Sequence, residues 1–308
     1  METLVLFYKY VDIQYPHQIL KWQKATATDL GLKGRIILAH EGINGILSGS
    51  KESIDQYIQC MNEHELFGGI DFKISTGSSG YHPRLRIVVK DEIVFLGIDP
   101  KKITADMGGK HLTPEQTHDL IENKPENLVL LDARNNYESK IGTFTGAITP
   151  DIKNFRDLPE YLDKNIDQFK DKKVVMFCTG GIRCERASAY LKEKGVAQDV
   201  YQIEGGIERY IEKYPDGYFR GKNYVFDGRI SVKVNDDILG TCYICNTSCD
   251  DYNNCMNASC NRHFIGCAPC IEAYKGTCSQ KCMELVEQKL VPIRPAFKKA
   301  DVNSCSVI

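Results

Sequence analysis

The chain has 308 residues and a formal net charge of −2, so it is long enough for two or three domains. The near-neutral charge excludes a protein whose whole surface coats nucleic acid or an anionic membrane, but it leaves room for a local basic face. No apolar run reaches the length of a membrane span, and no secretory signal precedes the first strand-like run. We therefore expect a cytoplasmic protein without stable membrane association.

The first 98 residues predict a ferredoxin-like (acylphosphatase-like) domain. β-Branched and aromatic runs predict strands, and apolar residues at helical spacing predict two helices. The predicted strands cover 3–10, 34–40, 43–49, 70–74 and 85–89, and the predicted helices cover 16–30 and 51–62. The order strand, helix, strand, strand, helix, strand is typical of a split βαβ unit, and the additional strand follows it.

The turn at 40–45 holds two candidate substrate-binding residues, Glu41 and Asn44. A carboxylate and an amide at a strand end can contact a substrate. The simpler interpretation is that Gly42 and the Asn44-Gly45 pair serve only turn geometry.

Residues 113–218 predict an α/β domain with a mainly parallel sheet. Glycine and proline content indicates a linker over 99–112, and Thr113 followed by Pro114 marks the start of a helix. Buried strand patterns at 128–132, 174–177 and 200–203 then alternate with helical segments, including one predicted over 186–194. Ligands of such sheets bind outside the carboxyl ends of the strands, which is where Cys178 falls.

Cys178 is the candidate catalytic residue, with Arg183 and Cys184 beside it. It follows an apolar strand and precedes a helix, so backbone N–H groups, the helix dipole and the Arg183 guanidinium all favour its thiolate. The loop backbone comprises Thr179, Gly180, Gly181 and Ile182. A cysteine phosphatase needs its arginine six positions after the cysteine, and here that position is Cys184. The tighter loop therefore indicates sulfur chemistry; a buried structural cysteine is the alternative.

Residues 219–290 predict a hairpin around Asp227-Gly228 and a cysteine-rich metal-binding module. Nine of the thirteen cysteines lie between 242 and 282, and a cytosolic chain favours metal ligation over disulfides. The spacing predicts two four-cysteine sites, Cys242/Cys245/Cys267/Cys270 and Cys255/Cys260/Cys278/Cys282, with Cys249 and His263 as spare candidates. Structural zinc is the first interpretation, an iron–sulfur cluster the second and disulfides the third.

The tail over 291–308 is expected to be mobile. A prenylation-like box at Cys305 is attributed to chance, because the final residue is isoleucine.

The central domain resembles the rhodanese family. The run from Asp132 to Glu138 is similar to its first signature, the run from Gly142 to Ile148 to its second, and Gly205-Gly206 to its closing one. Cys178 lies where that family carries a persulfide. The resemblance also implies that Asp132 and Arg134 are structural.

The whole arrangement, over about 1–285, resembles the bacterial tRNA uridine hydroxylases. It comprises Glu41-Gly42-Ile43-Asn44-Gly45 in the first domain, the octapeptide 178–185 and the cysteine cluster. The resemblance implies oxygen-dependent formation of 5-hydroxyuridine at the tRNA wobble position, with no nucleotide cofactor evident. Cations must then meet phosphates, and the candidates include Arg84, Arg86 and Arg186.

The sequence allows two roles for Cys184 and more than one function for the chain. Cys184 either resolves an oxidised Cys178 as a disulfide or packs under the loop. The competing functions are a stand-alone sulfurtransferase acting on thiosulfate or persulfides, and a zinc-stabilised binding module. Arg183 beside Cys178 argues against the binding module, and the two flanking domains argue against a generic sulfurtransferase.

Overall fold

The computed structural model describes residues 2–77 and 82–295, which form three successive units. The first unit is a five-stranded sheet with two helices. Its strands are β1 (Glu2–Tyr10), β2 (Lys33–Ala39), β3 (Gly42–Gly49), β4 (Lys73–Gly77) and β5 (Leu85–Val89), and its helices are α1 (Pro16–Asp29) and α2 (Lys51–Glu63). The sheet order is β4-β1-β3-β2-β5, and β5 runs parallel to β2. The ferredoxin-like, acylphosphatase-like prediction is confirmed.

The fourth strand is displaced from its predicted position. The sequence predicts a strand over 70–74, whereas β4 begins at Lys73 and pairs with Glu2–Leu6 of β1. Ile70 is buried in the core of the first unit instead of pairing. An apolar anchor just before a strand gives the same hydrophobic signal as the strand itself, which explains the shift.

The second unit is a parallel sheet covered on both faces. Its strands are β6 (Lys110–Leu112), β7 (Leu128–Asp132), β9 (Lys173–Phe177) and β10 (Asp199–Ile203), in the order β6-β10-β9-β7. Its helices are α3 (Pro114–Asn123), α4 (Asn136–Ser139), α5 (Leu158–Lys164), α6 (Ile182–Glu193) and α7 (Gly206–Lys213). Val174 and Met176 pack in one core and Val175 and Phe177 in the other. The α/β prediction with a parallel sheet is confirmed.

The predicted linker over 99–112 needs correction. Residues 110–112 form β6, which pairs with β10 at the sheet edge, and Ile103 is buried in the core under α6. A three-residue edge strand carries too little pattern to be detected from sequence. The helix expected over 186–194 begins earlier, at Ile182, so Arg183 and Cys184 lie on its first turn.

The third unit is continuous with the second, because a strand from each pairs in one sheet. β8 (Gly142–Phe144) pairs with β11 (Phe219–Tyr224), and β11 forms the predicted hairpin with β12 (Ser231–Lys233). The cysteine-rich part then holds β13 (Tyr252–Asn254), β14 (His263–Ile265), α8 (Ala268–Ala273) and α9 (Gln280–Glu287). Cys305 and residues 296–308 of the predicted mobile tail lie outside the described residues. Within the described part of the chain, no helix is long and apolar enough to span a membrane.

Candidate active site and metal centres

The Cys178 thiol lies at the carboxyl end of β9, where the sequence places it. A tight turn carries the chain into α6, with Gly181 as the N-cap at a φ of 102°. A side chain rarely adopts that backbone conformation, so the turn requires glycine. The Gly181 N–H donates a 3.2 Å hydrogen bond to the Cys178 sulfur. The loop therefore directs backbone dipoles at the thiol.

A second helix, α7, also holds the thiol loop through backbone hydrogen bonds. The first amides of α7 donate to the loop carbonyls, from Ile207 to Cys178 at 2.9 Å and from Glu208 to Thr179 at 3.0 Å. At Gly206, which precedes them at a φ of 69°, an added Cβ would lie 2.5 Å from the Cys178 carbonyl oxygen. Only glycine permits this approach. Two helices thus fix the backbone of the thiol loop.

Burial and hydrogen bonding act on the Cys178 thiol in opposite directions. Burial raises the pKa, but the Cys184 thiol, the Arg183 charge and the backbone N–H groups of 183 and 184 outweigh it and lower the pKa to about 6. Burial, together with the adjacent Cys178, holds the pKa of Cys184 well above its ordinary value. Cys178 is therefore the thiolate near neutral pH, and Cys184 is the thiol that donates to it.

The Arg183 guanidinium is held by a carboxylate that the sequence reasoning missed. Its Nη1 and Nη2 donate to Oε1 and Oε2 of Glu138 at 2.6 and 2.8 Å, and Glu138 is fully buried. Glu138 also accepts a hydrogen bond from the Asn135 N–H, completing a capping box at α4. The Asn-x-x-Glu spacing was the available signal. Arg183 lowers the pKa of Cys178, but its hydrogen-bonding edge is occupied by Glu138.

The first unit covers the thiol loop. The Tyr8 hydroxyl donates to Glu185 Oε1 at 3.0 Å, and the Tyr10 hydroxyl donates to the Ile182 carbonyl at 3.2 Å. Cys178 has no exposed surface. These tyrosines are neighbours of the thiol that the sequence alone does not identify. The signal was the uninterrupted apolar run of β1, which is typical of a strand covered on both faces.

Glu41 and Asn44 both bind the segment that leaves the first unit. The Ile93 N–H donates to Glu41 Oε1 at 2.7 Å, and Asn44 Nδ2 donates to the Ile93 carbonyl at 3.0 Å. Both side chains are partly exposed. The structure gives them an anchoring role, and their predicted contact with a substrate stays a prediction.

Arg186 is corrected from a substrate-binding candidate to a structural residue. It is fully buried on α6, where Nε donates to the Ile103 carbonyl at 2.8 Å and Nη2 to the Ile98 carbonyl at 2.6 Å. Nη1 is paired with Glu92 and lies 3.6 Å from Glu41. A guanidinium enclosed by these acceptors presents no edge to a phosphate. By contrast, Arg84, which precedes β5, and Arg86, which lies on β5, are exposed.

Asp132 and Arg134 behave as the rhodanese resemblance implies. Both are fully buried, and Arg134 donates to the Asp132 carboxylate from Nε at 2.9 Å and from Nη2 at 2.7 Å. Arg134 Nη2 also donates to the Gly142 carbonyl at 2.6 Å. The pair ties β7 to β8 beneath the thiol loop.

The eight predicted metal ligands form the two predicted clusters. Within each group, Cys242/Cys245/Cys267/Cys270 and Cys255/Cys260/Cys278/Cys282, the sulfurs all lie within 4.8 Å of one another. Zn–S bonds of about 2.3 Å in a tetrahedron separate the sulfurs by about 3.8 Å. The Cys245–Cys267 and Cys260–Cys278 sulfurs are 3.6 and 3.7 Å apart, far longer than a disulfide bond of about 2.05 Å. None of the described cysteines forms a disulfide, and the eight in the two clusters are arranged to fit one tetrahedral ion per cluster.

The ligands of the two clusters alternate in pairs along the chain, and neither spare candidate, Cys249 or His263, belongs to either cluster. In each cluster one sulfur accepts a hydrogen bond from the backbone. The N–H of residue 267 donates to the Cys242 sulfur and the N–H of residue 278 to the Cys255 sulfur, both at 3.4 Å. Such hydrogen bonds are typical of metal-bound thiolates. Cys249 packs in the same apolar cluster as Cys242, and His263 forms hydrogen bonds with Asn254 and Tyr224.

The central unit, with a reactive thiol at the end of a parallel strand, defines a rhodanese-type protein. Residues 113–213 match the family described as a rhodanese-like domain. Residues 2–93 match a family described as a UPF0176 acylphosphatase like domain, and residues 220–283 match one described as rhodanase C-terminal. Among solved structures, a rhodanese-like domain protein from Staphylococcus aureus is 23% identical with a TM-score of 0.27 and covers 33% of this chain and 90% of its own.

Full-length relatives give the narrower assignment. A tRNA uridine(34) hydroxylase of Cytophaga hutchinsonii is 42% identical and covers 91% of this chain and 89% of its own. Proteins of the same name from Corynebacterium jeikeium (40% identical, 92% and 95%) and Staphylococcus saprophyticus (39% identical, 91% and 89%) match comparably. The chain belongs to the tRNA uridine(34) hydroxylase family, whose members are enzymes on a rhodanese scaffold.

Proposed function

We propose that this protein hydroxylates carbon 5 of the tRNA wobble uridine with molecular oxygen, giving 5-hydroxyuridine in the cytoplasm. The observation that carries the proposal is the Cys178 thiolate in its rhodanese loop, within a chain that aligns with these hydroxylases over about nine-tenths of its length. The loop alone supports thiol chemistry. The flanking units, which generic sulfur transfer does not need, support a macromolecular substrate.

Cys178 is the proposed reactive group, and Cys184 is its proposed redox partner. Hydroxylation places one oxygen atom on carbon 5 and reduces the other to water, which consumes two electrons and two protons. Oxidation of two thiols to a disulfide releases two electrons and two protons, so this dithiol balances the reaction. The hydrogen bond from Cys184 to the Cys178 thiolate supports this assignment. The alternative is that Cys184 only packs beneath the loop.

We propose structural zinc in both cysteine clusters. Four convergent sulfurs fit a single tetrahedral ion, whereas an iron–sulfur cluster places several iron and sulfide atoms between its thiolates. A unit of this size buries little apolar surface, so bound metal supplies much of its folding energy. The metal-bound unit would also support β11, whose Tyr224 carbonyl accepts a 3.4 Å hydrogen bond from the Thr179 hydroxyl of the thiol loop.

The test is nucleoside analysis of tRNA from a bacterial strain that lacks its own wobble-uridine hydroxylases and expresses this chain. We expect 5-hydroxyuridine to return, and cells grown under isotopically heavy oxygen should incorporate one heavy atom per nucleoside. Absence of the nucleoside, combined with rapid sulfur transfer from thiosulfate by the purified protein, would instead establish the sulfurtransferase alternative. In that reaction the thiolate attacks the outer sulfur of thiosulfate and releases sulfite.

A further inference from the structure

The sheet of the first unit has one face covered by helices and one face turned toward the thiol loop. Val5 and Phe7 of β1 point into the core beneath α1 and α2, so Leu6 and Tyr8 point to the opposite face. This opposite face is covered only in part. Its β1 side contacts the second unit, and its β2 and β5 side carries four exposed cations, which we call the basic half-face: Lys33, Arg35, Arg84 and Arg86.

Strand register places the basic half-face beside the thiol loop. Leu6 pairs with Ile46, Ile46 with Arg35, and Arg35 with Arg86, so these four residues form one row across the sheet. An added Cβ on Gly180 would lie 3.2 Å from Leu6 Cδ2, so this row begins in contact with the loop. Strands are spaced about 4.8 Å apart, which puts the backbones at 35 and 86 about 10 and 14 Å from that of Leu6.

The basic half-face is electrostatically unfavourable for the folded protein alone. Arg35 and Arg86 are direct neighbours on adjacent strands, and like charges in that position destabilise a sheet. None of the four cations forms an ion pair with another residue in 2–77 or 82–295. A cluster of uncompensated cations, in a chain with a net charge of −2, fits an external polyanion.

We propose that the basic half-face binds the backbone phosphates of the tRNA nucleotides that flank the wobble uridine. This inference rests on the proposed function, because it takes the thiol loop as the destination of the uridine. Phosphate contacts position a nucleic acid without reading its sequence, and Arg35 and Arg86 suit this role because guanidinium groups bind phosphates in a bidentate manner. An RNA whose phosphates bind the basic half-face would place the adjacent nucleotide at the edge of the thiol loop.

The test is binding of a fluorescent anticodon stem–loop RNA with an unmodified wobble uridine to the full chain over a range of salt concentrations. We expect the Arg35→Gln/Arg86→Gln variant to bind at least tenfold more weakly. Loss of two phosphate contacts should reduce the slope of log affinity against log salt by about 1.4. Lys33→Gln/Arg84→Gln should act in the same direction. Thermal unfolding should stay unchanged or rise, because the substitution at 35 and 86 relieves a like-charge pair.

The matched control is Lys21→Gln/Lys24→Gln, which removes two exposed cations from α1 on the helix-covered side. Its affinity should stay within twofold of the parent. Unchanged affinity and slope for Arg35→Gln/Arg86→Gln would overturn the inference, as would equal competition by polyglutamate, which would indicate an acidic protein partner. Cys178→Ser keeps the surface intact and should bind RNA normally. If the parent binds RNA through this face but forms no 5-hydroxyuridine, the proposed function fails, whereas RNA binding by the basic half-face stands.

Discussion

The hydroxyl of Tyr8 donates a 3.0 Å hydrogen bond to Glu185, joining the first unit to the residue that follows Cys184. Burial, together with the Glu185 charge, raises the pKa of Tyr8 well above its ordinary value, so the phenol remains a donor. The contact closes the first unit over the thiol, which has no exposed surface. We therefore expect that a substrate can reach Cys178 only after the first unit moves away from the loop.

Tyr8→Phe should increase the rate at which a small alkylating reagent modifies Cys178. Loss of one hydrogen bond costs about 0.5–1.5 kcal/mol, so the open population and the alkylation rate should rise roughly 2- to 12-fold. Peptide mass spectrometry measures the rate at residue 178. The control is Tyr15→Phe, whose ring is already 56% exposed and whose rate should match the parent. Equal rates in both variants would show that Tyr8 does not control access.

Glu138→Gln should destabilise the second unit strongly. The substitution leaves the buried Arg183 guanidinium without its carboxylate, a loss that typically costs about 3–5 kcal/mol. Chemical denaturation followed by circular dichroism measures the free energy of unfolding. The control, Glu160→Gln, breaks an exposed pair with Lys164 and should cost less than about 0.5 kcal/mol. Similar values for the two variants would contradict the structural importance assigned to Glu138.

Ionisation of Cys178 should show a midpoint near pH 6. Its pKa in the folded protein, about 6, lies below its ordinary value of 9.0, so the thiolate persists at neutral pH and is lost as pH falls through about 6. Any stability that the thiolate contributes is lost over the same range. The difference in ultraviolet thiolate absorbance between parent and Cys178→Ser measures the midpoint. Cys184→Ala should raise it, and a parent midpoint near the ordinary value of 9.0 would contradict the assignment.

The cysteine-rich part should contain two zinc ions per chain. Cys255→Ser should lose one of them, because it removes a ligand from a single cluster. Elemental analysis of purified protein gives the stoichiometry. Cys249→Ser, which lies outside both clusters, should retain both ions. A colourless parent protein without bound zinc would contradict both metal interpretations, and a coloured one containing iron would favour the iron–sulfur alternative.

Local patterns predicted most of the fold and the thiol itself. The order of strands and helices, the cysteine at the end of β9 and the grouping of eight cysteines each depend on spacing along the chain. The misplaced elements have local causes. The buried Ile70 lies just before β4 and gives the same hydrophobic signal as a strand residue. β6 is too short to give a periodic signal.

Contacts between distant segments could not be predicted in the same way. The neighbours Tyr8 and Glu185 are separated by 177 residues, and only docking of two units joins them. Arg35 and Arg86 are neighbours because of the register between β2 and β5, and the sequence alone does not determine that register. Arg186 resembled a surface cation because its acceptors, Glu92 and the carbonyls at 98 and 103, come from another segment.

The most direct test of the account is the wobble nucleoside formed by Cys178→Ser in the strain without endogenous hydroxylases. Serine keeps the size of the side chain but forms no thiolate near neutral pH, so we expect no 5-hydroxyuridine. Cys60→Ser is the matched control, since Cys60 lies on α2 in the first unit and should leave the modification at the parental level. Full modification by Cys178→Ser would contradict the assignment of the reaction to this thiol.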